Sequence, residues 1–154
     1  MLVERLNRKS LMHSIVRTVL LLVVLTVVSV APSCRSLDAS RTPPEVVAIV
    51  DARQDALRKI ESAFLQGMPV TDAALIAELQ VDLAGWARVR ELTDTVTAGE
   101  DLKAVLQTQQ VGLGIAIEKI EAGEYTQDLK IELVHSLIAA WDSLDTYYNP
   151  IPES

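Results

Sequence analysis

TPPEVVAIVDARQDALRKIESAFLQGMP, residues 42–69, decides how the rest of the chain reads. Thr42 offers a side-chain oxygen as an N-cap, Pro43 follows at the first helical position, and Glu45 stands three residues after the cap. Together they form a helix-start signal, because each relieves a different unsatisfied group of the first turn. Apolar residues then recur at Val46, Ile49, Val50, Leu57, Ile60 and Phe64. Spacings of three and four place them on one face of an α-helix. Gly67 suits the left-handed turn that closes a helix, and Pro69 cannot extend one.

The same grammar recurs three times downstream. Thr71-Asp72 restarts a helix whose apolar stripe is Ile76, Leu79, Leu83, Trp86, Val89, Leu92 and Val96, ended by Gly99. Leu102, Val105, Leu106, Leu113, Ala116, Ile117 and Ile120 make a third stripe, ended by Gly123. Thr126 caps a fourth, with Leu133, Val134, Leu137, Ile138, Trp141, Leu144 and Tyr148, stopped by Asn149-Pro150. No segment alternates with period two. Loops this short force neighbouring helices antiparallel, so residues 43–149 predict an all-α, up-and-down four-helix bundle, followed by a short tail, 150–154.

The stripes also repeat in register. A shift of 56 lays Val46, Val50, Leu57, Phe64 and Gly67 on Leu102, Leu106, Leu113, Ile120 and Gly123. A shift of 55 lays Thr71 on Thr126 and Trp86 on Trp141. The bundle thus reads as two duplicated αα-hairpins, the alternative being that any two amphipathic helices ending in Gly align this well. The first shift also lays Arg53 on Gln109, two polar residues interrupting apolar stripes. They suit a polar layer inside the bundle. The plainer expectation is that Arg53 snorkels outward along its stem and Gln109 sits at the edge of the seam.

Ahead of this domain the composition changes. Residues 18–31, TVLLLVVLTVVSVA, are uncharged, and Arg5, Arg8, Lys9 and Arg17 precede them against the single acid Glu4. A basic head, an apolar middle and a small-residue exit describe an export signal. The segment falls short of the ~20 residues of a spanning helix. Its end, Ala31-Pro32-Ser33-Cys34, resembles the lipobox of bacterial lipoprotein signal peptides. That resemblance implies cleavage before Cys34, lipid attachment to Cys34 and, with Arg35 next, the outer membrane. Ordinary signal cleavage and retention as an uncut anchor remain alternatives. Residues 1–33 thus read as signal peptide or anchor helix, and 34–42 as a polar tether to the bundle.

From Cys34 onward, 10 Lys and Arg face 20 Asp and Glu, a net charge of −10. So acidic a domain is unsuited to nucleic acid or to anionic lipid surfaces. A single cysteine excludes an internal disulfide and a cysteine zinc site.

Signatures of catalysis or cofactor binding are not found. Glu132 and His135 form one Glu-x-x-His, whereas a di-metal bundle needs two with further inward carboxylates; His135 reads as a boundary histidine. Gly112 and Gly114 lie mid-helix, where they would permit close approach of a neighbour such as Trp86 or Trp141. Glu78 and Asp82, four apart, are expected on a solvated face. No metal site, cofactor or catalytic residue is expected.

Trp86 and Trp141 are candidates for the core or for the walls of a pocket. Tyr147 and Tyr148, beside Pro150 and Pro152, are candidate partner contacts, although Tyr148 also suits packing on the bundle end. The sequence favours a non-enzymatic, membrane-tethered helical module that binds or spaces other cell-envelope proteins from the periplasmic side. A phage-type envelope or lysis component is a narrower version of that reading. A small-molecule or lipid-binding bundle is the main alternative.

Overall fold

Residues preceding a proline are pushed away from helical backbone angles, and this sets where the bundle begins. In the computed structural model, which describes residues 43–94 and 100–148, Pro43 is extended with ψ at 127° and Pro44 is the first helical residue. The helix therefore starts one residue later than the sequence suggests, with Pro43 as N-cap and no side-chain capping bond. Thr42 lies outside the described residues. So do Cys34, the whole of 1–42, Val96, Gly99 and residues 149–154.

Four helices follow: α1 (Pro44–Leu65), α2 (Asp72–Asp94), α3 (Glu100–Glu121) and α4 (Gln127–Tyr148). There is no strand among the described residues. The two hairpins turn in the same way. Gly67 and Gly123 have φ of 67° and 69°, the left-handed region that only glycine enters freely. In each, the glycine N–H bonds three residues back, to Phe64 or Ile120, and the next N–H bonds five back, to Ala63 or Lys119. These are Schellman closures, which satisfy the last carbonyls of α1 and α3. Thr71 and Thr126 then cap α2 and α4 by accepting from the N–H groups of Ala74 and Leu129.

A four-three series of buried residues runs along each helix, joined by Ile117 on α3 and by Leu129, Leu133 and Ala140 on α4. On α1 the seam is Val46, Val50, Arg53, Leu57 and Phe64, with Ile60 half-buried between the last two. On α2 it is Leu75, Leu79, Asp82, Trp86, Val89 and Thr93. On α3 it is Leu102, Leu106, Gln109, Leu113, Ala116 and Ile120. On α4 Val134, Leu137, Trp141, Leu144 and Tyr148 continue it. Alternating steps of four and three keep one stripe facing the bundle axis.

The shift of 56 carries every α1 seam position onto an α3 seam position. The shift of 55 does the same from α2 to α4 for Leu79, Asp82, Trp86, Val89 and Thr93. The helix pairs agree, since α1 packs most closely with α4 and α2 with α3, while α1 and α2 lie further apart. A two-fold axis exchanging the hairpins exchanges the two close pairs. Up-and-down topology makes α2 and α4 parallel, and side chains joining them stay level: Asp72 with Lys130, Trp86 with Trp141, Thr93 with Tyr148. Two of these three join residues that the repeat equates, so they lie across the pseudo-two-fold axis. The fold is a four-helix bundle whose two αα-hairpins carry buried seams in matching register.

Candidate functional site

At one level of the seam the two hairpins differ in charge. Arg53, Glu78 and Asp82 correspond to Gln109, Leu133 and Leu137, so one hairpin carries charge where the other is uncharged. Asp82 is fully buried, at 0 % exposure. Its Oδ1 accepts from Arg53 Nε at 3.0 Å and from Trp141 Nε1 at 2.9 Å. Arg53 Nη2 reaches Glu78 Oε1 at 2.6 Å, and Glu78 is half-buried at the rim. One carboxylate thus ties α1, α2 and α4 together, and Arg53 spends its fork on two acids of a single helix.

Trp86, one turn after Asp82, stacks on Trp141 with ring centroids 3.8 Å apart and planes at 18°. Both indoles are buried. Gly85 lies beside them. A Cβ added there would meet Arg53, Ile49 and Trp141 at 3.5 Å, ordinary van der Waals contact.

The cluster is not fully satisfied. Asp82 Oδ2 and Trp86 Nε1 are both buried without a hydrogen-bond partner. A buried group left so costs about 1–3 kcal/mol. Burial pushes the Asp82 carboxyl above the usual carboxylate range, against the opposing pull of Arg53 and the Trp141 N–H. The Trp86 N–H also helps hold the charge, from a position that makes no hydrogen bond of normal geometry.

These positions correct several expectations. Arg53 does not snorkel to solvent, because two acids on α2 hold it in the seam. Gln109 is buried on α3 rather than at its edge. The two form polar seam positions in equivalent helices. Asp82 is not on a solvated face, because the inward stripe of α2 is turned from the apolar one. Ile76, Leu83 and Leu92 flank it half-buried, while Leu75, Asp82 and Thr93 occupy it. Gly114 permits no close approach, since nothing lies within 4 Å of a Cβ placed there.

The remaining candidates fall at the periphery. His135 is exposed on α4, with Nε2 2.7 Å from Glu61 Oε1 on α1. Among the described residues no group of three His, Cys, Asp or Glu side chains is placed to hold a metal. Tyr148 is buried and shares a 2.6 Å hydrogen bond with Thr93, closing the bundle end. Burial removes Tyr148 as a docking residue. Tyr147 packs half-buried against the core and meets Tyr148 edge-on, centroids 5.4 Å apart. Comparison of the chain with protein-family models, curated proteins and solved structures returns no match.

Asp82, Glu78 and Thr93 are the residues that the apolar reading missed. A signal for them existed. The shift of 55 places Glu78 on Leu133, Asp82 on Leu137 and Thr93 on Tyr148, all buried positions of α4, so the repeat itself marks them as inward.

Proposed function

We propose that the chain is a non-enzymatic, membrane-tethered helical module that binds or spaces other proteins of the cell envelope through its outer surface. The observation that carries this reading is the Trp86–Trp141 stack. At 3.8 Å the rings are in contact, and nothing fits between them. Asp82, the one fully buried carboxylate among the described residues, is engaged by Arg53 and Trp141 and has no exposed surface for a substrate. A small-molecule pocket needs about 300 Å³ or more, and the natural place for one, between the two tryptophan helices, is filled by their own side chains. The tether rests on the basic head, the apolar run and Cys34, and no described helix is long and apolar enough to cross a membrane.

Two measurements test the halves of this reading. Cys34→Ser should leave an uncleaved precursor and abolish acyl labelling; unchanged mass and membrane partition would sink the lipid tether. Tryptophan emission should be blue-shifted and resistant to apolar quenchers. Saturable quenching by a lipid or apolar ligand at micromolar concentration would put the ligand-binding alternative first.

A further inference from the structure

The internal repeat supplies a control for the surface, because each outward position on one hairpin has an equivalent on the other. On α1 the outward face carries Asp51, Asp55, Arg58 and Lys59, all exposed. The equivalent positions of α3 are Gln107, Val111, Gly114 and Ile115. On α4 the outward side carries Asp128, Glu132, His135 and Asp142. The equivalents on α2 are Ala73, Ala77, Gln80 and Ala87. At these positions charge is absent from α2 and α3 and present on their two-fold mates. Residues 104–117 hold no charged side chain at all, in a chain that is 23 % charged. Since α2 and α3 are a closely packed pair, their outward sides adjoin. The result is an uncharged central stretch of mostly small residues, bounded by exposed Arg88 and Glu91 on α2 and Glu118 and Glu121 on α3, from which Val111 and Ile115 project at 58 % and 41 % exposure.

We infer that this α2–α3 face is where a second copy of the chain docks. The proposal deepens the surface-binding reading and rests on it. The charge balance selects the occupant. The domain is strongly acidic, so two copies repel wherever their acids meet. The uncharged middle of this face is where they approach with the fewest like-charge contacts, and a basic partner would prefer the acidic α1–α4 side. An isologous pair also matches apolar Val111 and Ile115 with their own counterparts. Two helices presenting about 20 Å of their length bury less than the ~1,200 Å² of the smallest stable interfaces. The dimer is therefore weak in dilute solution and strengthened wherever copies are confined together.

The experiment is site-specific photo-cross-linking of the full chain in membranes of the expressing cell. A benzophenone amino acid replaces Val111 and, as control, its two-fold equivalent Asp55. Tagged and untagged copies are co-expressed. The expected result is a tagged–untagged dimer from position 111, with the cross-linked peptide mapping to α2 or α3 of the second copy, and none from position 55. Val111→Asp with Ile115→Lys writes the α1 pattern onto α3 at exposed sites. It should abolish the dimer while helical content is unchanged. No dimer from position 111, an equal yield from position 55, or a dimer that survives the double substitution overturns the proposal. A cross-link from 111 to a different envelope protein or to lipid overturns it too; the first of these leaves the module reading standing. A protein partner found from neither position removes both.

Discussion

Asp82 is the residue on which the interior depends most, and its chemistry sets three expectations. Removing one member of a buried pair strands the other, so Asp82→Leu alone should cost about 3 kcal/mol in a denaturant melt. Adding Arg53→Gln copies the Gln109 and Leu137 of the other hairpin and should recover most of that loss. A double mutant no better than the single would show that the pair does not act as a unit. The pH dependence follows from the raised carboxyl. The folded state holds the Asp82 proton more tightly than the unfolded chain does. Its contribution to stability is then complete below the ordinary value of 3.8 and is lost as pH rises through the folded value. Stability of the native chain measured against Asp82→Asn should therefore fall from about pH 4 upward, by at most about 1.4 kcal/mol per pH unit. An unchanged difference between pH 4 and pH 7 would contradict the raised carboxyl. Tyr148→Phe should cost about 1 kcal/mol by leaving the Thr93 hydroxyl buried and unbonded, and adding Thr93→Val should restore much of it. None of this was visible in hydropathy. Asp82 and Thr93 are polar letters at seam positions, and a stripe read from apolar residues alone turns away from them.

At the scale of the element, the glycines separate into two kinds with opposite consequences. Gly67 and Gly123 hold left-handed turns. Alanine at either should cost about 1 kcal/mol, because its Cβ meets the following carbonyl there. Gly114 is helical with open space beside it, so Gly114→Ala should gain about 0.5–1 kcal/mol from helix propensity. Thermal melts of the three variants decide this; a loss at Gly114 would mean that a neighbour does pack on it. Helix number, the start signals at Thr71 and Thr126 and the stops at Gly67 and Gly123 were all legible, because caps are local chemistry. The rotation of α2 about its axis was not. It is fixed by the partner that Asp82 finds on another helix, and local sequence does not encode it.

The whole molecule behaves as two hairpins sharing one core. Residues 43–149 expressed alone should be soluble, strongly helical and cooperative in melting. Leu113→Ala, at a buried seam position, should cost roughly 2–5 kcal/mol, and a loss below about 0.5 would place it outside the core. The bundle and its repeat could be read from the sequence because the seam of α1 recurs on α3 at an offset of 56, and that of α2 from Leu79 onward recurs on α4 at 55. The face that lacks charge could be recognised only once α2 and α3 were known to adjoin. One consequence of the tryptophan stack reaches beyond stability. Two indoles stacked at 3.8 Å perturb each other's excited states, so the near-ultraviolet dichroism and emission of the native chain should differ from the signals of the two single Trp→Phe variants added together. The chain thus carries its own optical gauge of the α2–α4 separation, readable without any label.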